Sequence, residues 1–270
     1  MNMTVLALAA RELLSEPRTT GSFMDPLTSA AASGIRARLE SLDMLANNLA
    51  NASSPGFKAD REFYGLYLSA EEADSPAGTD PPILPVIERQ WTDFAQGALT
   101  PTGNALDLAL NGPGFFVAQS ANGIVFTRDG SFRLSLQGEL ATQDGDRVQD
   151  QDGKPILLDA SRPVEIGSDG TIRQDNQDVA QIAIVNFPDA AVLAKRGNNY
   201  FRTDLSTMPA PSATPAEIVQ GRLEVANLQP AESAVRLVNI LRQFETLQKA
   251  LAIGADMNKR TVEDVAKLAQ

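Results

Sequence analysis

The feature that most constrains this chain is a helical segment that stops abruptly near residue 51. Residues 45–58 read LANNLANASSPGFK, so an amphipathic pattern runs into Asn, Ser, Pro and Gly. The residue before a proline is pushed out of helical geometry, Pro55-Gly56 favours a turn, and the Asn side chains can hydrogen-bond locally. The pattern predicts a helix over residues 25–52, followed by a change of chain direction.

Upstream of this stop, apolar residues recur at alternating spacings of three and four. They include Ile35, Leu39, Leu42, Ala46 and Leu49. A stripe this narrow suits a neighbouring helix better than a broad globular core. An ordinary N-terminal helix docked on its own domain is the alternative that helix physics leaves open.

A second helical pattern lies near the C-terminus. Its stripe contains Ala234, Leu237, Leu241, Phe244, Leu251 and Ala255, and Gln248 interrupts it. The two terminal helices can therefore pair as a coiled coil within one chain, or leave an apolar stripe for neighbouring copies.

Between the helices the pattern changes to short strands separated by turns. Dipeptides such as Asn111-Gly112, Asp129-Gly130 and Asp144-Gly145 supply the positive backbone angles that tight connections need. The predicted strands are Leu106–Leu110, Phe115–Gln119, Ile124–Arg128, Phe132–Leu136, Val164–Ile166, Ile172–Gln174 and Ile182–Phe187. The expected fold class is α+β: terminal α-helices pairing as a coiled-coil-like core, with an inserted all-β domain of short antiparallel strands.

Composition excludes several functions. The chain has no Cys and no His, which removes disulfides, Cys/His zinc sites and imidazole catalysis. A formal charge of −11 argues against nucleic acid or an anionic membrane as the main partner. No apolar run approaches the roughly 20 residues of a membrane-spanning helix, so membrane insertion is not expected.

Two patterns raise the question of a ligand site, and both favour turns. Asp144, Asp146, Asp150 and Asp152 form an acidic cluster, but no bidentate Glu follows at the spacing of a calcium loop. Gly112-Pro113-Gly114 lacks the third glycine and the helix of a dinucleotide loop. No catalytic, cofactor-binding or metal site is expected, and the chain is not expected to be an enzyme.

The sequence motifs themselves resemble those of the bacterial flagellar rod and hook proteins. The N-terminal resemblance lies in ANNLAN followed by SPGFK, and the central one in DLALNGPGFFV and FTRDGSF. The C-terminal resemblance is carried by Leu223, Glu224, Asn227, Glu232, Arg242, Phe244, Glu245 and Lys249, with Ala226 and Leu228 replacing the family's usual Ser and Val.

This resemblance implies a structural subunit that polymerises through its terminal helices, with the β domain outside. The expected assembly residues of the N-terminal part are Ile35, Leu39, Leu42, Leu45, Asn47, Asn48, Leu49, Asn51, Pro55, Gly56 and Phe57. Those of the C-terminal part are Leu223, Glu224, Asn227, Leu237, Leu241, Arg242, Phe244, Glu245 and Leu251. The implied partners are copies of the chain, other rod and hook subunits, and the flagellar type III export apparatus.

The implied organisation has six parts. They are an extension or upstream start (1–23), an axial helix and turn (24–60), an irregular linker (61–96), a β domain (97–203), a linker (204–220) and a C-terminal axial helix (221–270). The acidic, Pro-rich stretch 71–82 is expected to be a loop. Residues 3–10 are apolar but lack a basic leader, so a cleaved secretory signal is not expected. The resemblance implies export to the periplasmic rod without one.

Chain length favours a rod subunit over the larger hook proteins. NASSPGF and the weakly matched central region resemble the proximal rod subunit most closely, with the distal rod or a short hook subunit second. Two alternatives from other classes remain. One is a secreted β-rich binding module whose helices close its own fold. The other is a hydrolase that uses an unrecognised pair of carboxylates.

Overall fold

The computed structural model describes residues 26–67, 84–188, 192–197, 199–203 and 216–268. The predicted extension over residues 1–23, the acidic loop over 71–82 and most of the linker over 204–220 lie outside these ranges. Within the described residues, no helix is both long and apolar enough to span a membrane.

Two helices frame the chain, as predicted. Helix α1 spans Pro26–Ala50 and helix α2 spans Pro230–Leu268. Each begins with proline, which suits a first helical position because its missing N–H would have no partner there. The predicted stop after α1 is confirmed, because the helix ends at Ala50 and a turn follows. Helix α2 begins at Pro230, nine residues after the start of the predicted C-terminal helical segment at 221.

The remaining elements are short strands. They are β1 Asp60–Tyr67, β2 Leu84–Thr92, β3 Leu99–Pro101, β4 Leu108–Asn111, β5 Phe115–Ser120, β6 Gly123–Thr127, β7 Arg133–Leu134, β8 Leu140–Ala141, β9 Arg147–Val148, β10 Glu165–Ile166, β11 Thr171–Gln174, β12 Gln177–Gln181, β13 Ile184–Val185, β14 Ala194–Gly197, β15 Tyr200–Arg202, β16 Glu217–Gln220 and β17 Arg222–Glu224. Each of the seven predicted strands overlaps one of these.

The strands form a set of small sheets around one larger one. The larger sheet has the order β14-β15-β6-β5-β9-β8-β7, with β13 also paired to β5. Strands β10, β11 and β12 form a second sheet, and three two-stranded pairs join β1 to β2, β16 to β4 and β17 to β3. The registered pairs are antiparallel, which confirms the antiparallel β insertion.

Strand β5 lies at the centre of this domain and is buried on both faces. Phe115 and Val117 pack into a cluster with Phe126 and Phe201. Phe116 points to the opposite side, into a larger cluster of buried aliphatic side chains. The continuous apolar run of β5 therefore reflects a central strand, whereas strict alternation would have indicated a strand with one exposed face.

Three predictions of local structure are wrong. The linker over 61–96 contains β1 and β2; the linker over 204–220 contains β16; and the helical segment from 221 starts with β17. Strand β2 contains Pro85, and proline cannot donate a ladder hydrogen bond. Proline is nevertheless compatible with a two-stranded sheet, in which every strand is an edge strand.

The chain divides into two compact units, and each helix contributes to both. One unit holds the described residues of 1–37, 66–86 and 244–270, and the other holds 38–65 and 87–243. In the first unit, Gly34 of α1 is buried, and a β-carbon added there would lie 3.5 Å from Cδ1 of Leu247. In the second, Met44, Leu45 and Ile240 form a small apolar cluster.

Candidate functional site: a joint between the terminal segments

The residues that follow α1 and those that precede α2 meet in the second unit, although they are distant in sequence. The amide of Gly56 donates to the carbonyl oxygen of Glu224 at 2.7 Å. The amide of Asn227 donates to the carbonyl oxygen of Phe57 at 3.4 Å. We call residues 55–60 and 224–227, with the side chains and loop that bind them, the joint.

A buried carboxylate lies at the centre of the joint. Glu224 is 1% exposed and receives the ammonium of Lys58 on Oε1 at 2.6 Å. The amide of Gly97 donates to the same oxygen at 2.8 Å, and Nη1 of Arg128 lies 3.3 Å from Oε2. One acid therefore connects the N-terminal segment, the loop before β3 and the end of β6.

The two cations are buried as deeply as the acid. Lys58 is 1% exposed and Arg128 is 4% exposed. Burial lowers the pKa of Lys58, and the charge and hydrogen bond of Glu224 oppose that shift. Backbone carbonyls add further partners: Lys58 donates to Ala95 and Arg128 to Gly112, both at 2.8 Å, while the buried Nε of Arg128 finds no hydrogen-bond partner among the described residues. Removing the carboxylate from this group would leave two buried cations unpaired, which is far more costly than the loss of an exposed ion pair.

Two asparagines hold the backbone of the N-terminal segment. The side chain of Asn48 accepts from the amide of Asp60 at 3.0 Å and donates to its carbonyl at 2.8 Å. The side chain of Asn227 accepts from the amide of Ala59 at 2.8 Å and donates to the carbonyl of Asp93 at 2.6 Å. Each side-chain amide thus bonds to the backbone as a neighbouring strand would, because it satisfies backbone groups that would otherwise be unpaired.

The stop of α1 is built by local hydrogen bonds and one close approach. The amide and the side chain of Asn51 both donate to the carbonyl of Asn47, at 3.1 and 2.9 Å. Gly56 has φ of 66°, and an added β-carbon would lie 2.3 Å from the backbone of Arg128. Only glycine fits both this backbone angle and this contact.

Lys195, on β14, covers the outside of the joint. Its ammonium donates to the carbonyl of Lys58 at 2.7 Å and pairs with Asp60 at 2.8 Å. It also lies 4.6 Å from the centre of the Phe57 ring, a cation–π contact. Asn199, in the loop between β14 and β15, donates to the carbonyl of Pro55 at 3.1 Å.

A second buried carboxylate connects α1, β1 and α2. The side chain of Glu62 is fully buried, accepts from the hydroxyl of Ser41 at 2.6 Å and pairs with Arg236 at 2.9 Å. Polar side chains therefore supply part of the face through which α1 contacts the rest of its own chain.

That in-chain face of α1 is rotated from the predicted apolar stripe and overlaps it at Leu42, which packs against Met44, Leu45 and Ile240. The buried residues are Gly34, Ala37, Ser41, Met44, Leu45 and Asn48. Leu39, in the predicted stripe, is 45% exposed. Since a helix turns by about 100° per residue, Leu39 and Ser41 face nearly opposite directions. Within the stripe, Ile35, Leu42 and Leu49 are half-buried and Ala46 is exposed.

Helix α2 places its least exposed residues in a stripe with regular spacing. The large apolar side chains among them are Leu237, Ile240, Phe244, Leu247 and Leu251, at alternating spacings of three and four. Three of them belong to the predicted stripe, but Ile240 and Leu247 replace Leu241 and Gln248, so the stripe has no polar interruption. Leu241 is 42% exposed, and Arg242 and Glu245 are also exposed.

The structure brings many of the predicted site residues together in the joint. The predicted residues that belong to the joint are Pro55, Gly56, Phe57, Glu224 and Asn227. Leu223 pairs with Thr100 in the adjoining ladder. Sequence reasoning missed Lys58, Arg128 and Lys195. Lys58 and Arg128 stand within the motifs SPGFK and FTRDGSF, and that position was the available signal.

Comparison with known proteins agrees with these motifs. The family pattern described as "Flagella basal body rod protein" matches residues 29–58, and the pattern "Flagellar hook protein FlgE/F/G D1 domain" matches residues 109–174. The chain is 38% identical to the flagellar basal-body rod protein FlgF of Caulobacter vibrioides, over 84% of this chain and 92% of that one.

Two further relatives carry similar names. The FlgF of Mesorhizobium japonicum is 32% identical over 82% of this chain and 91% of its own. The flagellar basal-body rod protein FlgG of Buchnera aphidicola subsp. Schizaphis graminum is 29% identical over 87% and 97%. The chain therefore belongs to the flagellar rod and hook protein family. The predicted resemblance is confirmed, with the FlgF type, which is the proximal rod subunit ranked first above, ahead of the FlgG or distal type.

Proposed function

We propose that this chain is a structural subunit of the flagellar basal-body rod, and that it polymerises through stripes on its two terminal helices. The observation that carries the proposal is the position of the apolar stripe on α1. Its in-chain face is small and partly polar, while Leu39 is 45% exposed and Ile35 and Leu42 are only half-buried. An apolar stripe of this kind stabilises the chain only when another molecule covers it.

The joint supports this proposal because it fixes where both helices leave the β domain. Contacts that do not close into a ring build a helical filament only if each subunit presents its surfaces in the same orientation. The buried charges and the side chains of Asn48 and Asn227 hold the two terminal segments in one fixed orientation within each subunit. The helices would then form the axial core, as a coiled-coil-like pair, with the β domain outside.

Substitution of exposed stripe residues tests the proposal. Leu39→Asp and Leu241→Asp should leave the isolated subunit folded, because both side chains are already exposed. In a polymer the same charge would be buried without a partner, so incorporation into purified basal bodies should be lost. The matched control is Leu136→Asp, at a fully exposed leucine of the β domain. Normal incorporation of both helix variants would contradict the proposal.

Identity with the FlgF relatives supports the proximal rod position, with the distal position as the alternative. Expression in Caulobacter strains lacking FlgF or lacking FlgG distinguishes them. Recovery of swimming in the first strain alone is expected. Recovery in the second strain alone would assign the chain to the distal rod.

Export by the flagellar type III apparatus, without cleavage of a signal, completes the proposed route to the periplasmic rod. Residues 1–23 bear on this point, because the resemblance places the usual start near Met24. N-terminal sequencing of the subunit extracted from basal bodies should read from Met1 or from Met24. A new N-terminus between them would indicate cleavage.

The secreted β-rich binding module remains the rival of another class. It requires the helices to close the fold of their own domain, as the Met44–Leu45–Ile240 cluster does locally. It does not account for the exposure of Leu39 and Leu241. If the aspartate variants at these positions unfold the isolated subunit, the binding module becomes the better interpretation.

A further inference from the structure

The two halves of the joint are attached to the β domain in unequal ways. Residues 222–224 form β17 and pair with β3, from Arg222 opposite Pro101 to Glu224 opposite Leu99. The amide of Val225 continues this ladder to the carbonyl of Ala98 at 2.9 Å. The C-terminal half is thus a strand of the domain itself.

Strand β17 also follows directly on β16, which pairs with β4 in the buried core of the domain. Residues 55–60 lack that connection, because Asp60 begins β1, which pairs with β2 in a separate two-stranded sheet. Their main-chain bonds reach the C-terminal half at Glu224 and Asn227, and the loop before β3 at Asp93. A cavity of about 280 Å³ remains between this segment and the β14–β15 hairpin, lined by Phe57, Lys58, Asp60, Lys195 and Tyr200 among others. Packing on that side is incomplete, so less surface is exposed when the segment leaves.

The charges make the two halves unequal in a second way. If the N-terminal segment leaves, Glu224 keeps Gly97 on one oxygen and Arg128 on the other, as a neutral pair. If the C-terminal half leaves first, Lys58 and Arg128 stay buried without the carboxylate, and their charges repel. Buried like charges without a counter-ion are strongly unfavourable.

We infer that β17 and the loop before β3 form a preformed acceptor site for an extended, lysine-bearing segment, which residues 56–60 occupy and can leave while the β domain stays folded. The inference does not depend on assembly into a rod. The proposed site binds the ammonium of the segment through a carboxylate and a backbone carbonyl, and it binds the segment's backbone through an asparagine amide.

Amide hydrogen exchange of the full chain tests this order. The amides of Gly56, Ala59 and Asp60 report on the segment, and those of Gly97 and Val225 report on the acceptor site. In low concentrations of guanidinium chloride, the first group should exchange at least about tenfold faster, through an opening that exposes little surface. Equal rates with equal denaturant dependence in both groups would overturn the inference.

Two variants sharpen the test. Lys58→Met should raise exchange of the segment amides by about tenfold or more while leaving Gly97 and Val225 within about twofold, since the Arg128–Glu224 pair survives. Lys154→Met, at an exposed ion pair with Asp152, is the matched control and should change neither group. An equal increase in both groups for Lys58→Met would contradict a separable segment. If Lys58→Met does not fold, the amide exchange rates of the wild-type chain test the inference by themselves.

Discussion

In the β domain, Leu108, Leu110 and Phe116 are fully shielded from solvent, whereas on the helices Leu39 and Leu241 keep 45% and 42% of their surface exposed. The β domain closes its apolar core within one chain. The terminal helices meet the rest of their chain through small and polar groups and one small apolar cluster of Met44, Leu45 and Ile240, and they leave other apolar side chains exposed. This difference is the one expected if the β domain is complete alone and, as proposed above, the helices are completed by assembly.

Matched leucine substitutions give the largest contrast between the two regions. Leu110→Ala should lower the free energy of unfolding of the isolated subunit by about 2–5 kcal/mol, because it leaves a cavity. Leu39→Ala should change it by no more than about 0.5 kcal/mol, because the side chain is already half exposed. Guanidinium unfolding followed by circular dichroism measures both. Equal losses would remove the distinction between a closed core and an open stripe.

The joint should behave like the β domain and not like the open stripe. Glu224→Gln removes the charge that Lys58 and Arg128 share, and should lower the free energy of unfolding by about 3 kcal/mol. The control is Asp178→Asn, at the exposed ion pair with Arg173, where the unfolding midpoint should not move. A Glu224→Gln variant as stable as the wild type would show that the buried network does not hold the joint.

The asparagine contacts should contribute less than the charges. Asn227→Ala leaves the amide of Ala59 and the carbonyl of Asp93 without partners, and should cost about 1–2 kcal/mol. Asn48→Ala should do the same at Asp60. The exposed Asn47 serves as control, because alanine there only favours the helix. A loss at Asn47 as large as at Asn227 would contradict the assigned roles.

The smallest expected effect is a pH dependence inside the β domain. Tyr200 donates to the hydroxyl of Thr142 at 2.8 Å, and burial raises its pKa above the ordinary value. The unfolded chain loses this proton near pH 10 while the folded chain keeps it, so stability falls as the pH rises above 10. Tyr200→Phe should cost about 1 kcal/mol at neutral pH.

The difference in stability between wild type and Tyr200→Phe should therefore narrow above pH 10, as measured by urea unfolding at several alkaline pH values. A difference that stays constant across that range would show that Tyr200 keeps an ordinary pKa in the folded subunit.

Much of the fold was predictable because the relevant signals are local. Glycine turns and apolar runs located strands such as β5 and β6, and the Asn-Pro-Gly stop located the end of α1. Strands β1 and β17 were missed because their sequences contain charged residues, such as Asp60 and Glu224, that pair only with distant partners. The partners of an ion pair between residues 58 and 224 cannot be read from periodicity.

The helix stripes show the same limit. Spacing predicted that α1 is amphipathic, but it did not reveal that Ser41 and Asn48 form part of the in-chain face, because each binds a group brought close by folding. On α2 the sequence supports two overlapping stripes that share Leu237, Phe244 and Leu251. Contact with Met44 and Leu45 selects the one that passes through Ile240.

Cysteine labelling tests most directly whether assembly covers the exposed stripe. The chain has no native cysteine, so Leu39→Cys provides a single reactive thiol, and Ser41→Cys on the buried face is the matched control. Leu39→Cys should react rapidly with a maleimide in the isolated subunit, and at least about tenfold more slowly in purified basal bodies. Ser41→Cys should be slow in both. Equally rapid labelling of Leu39→Cys in the two samples would contradict the proposal that this stripe joins subunits.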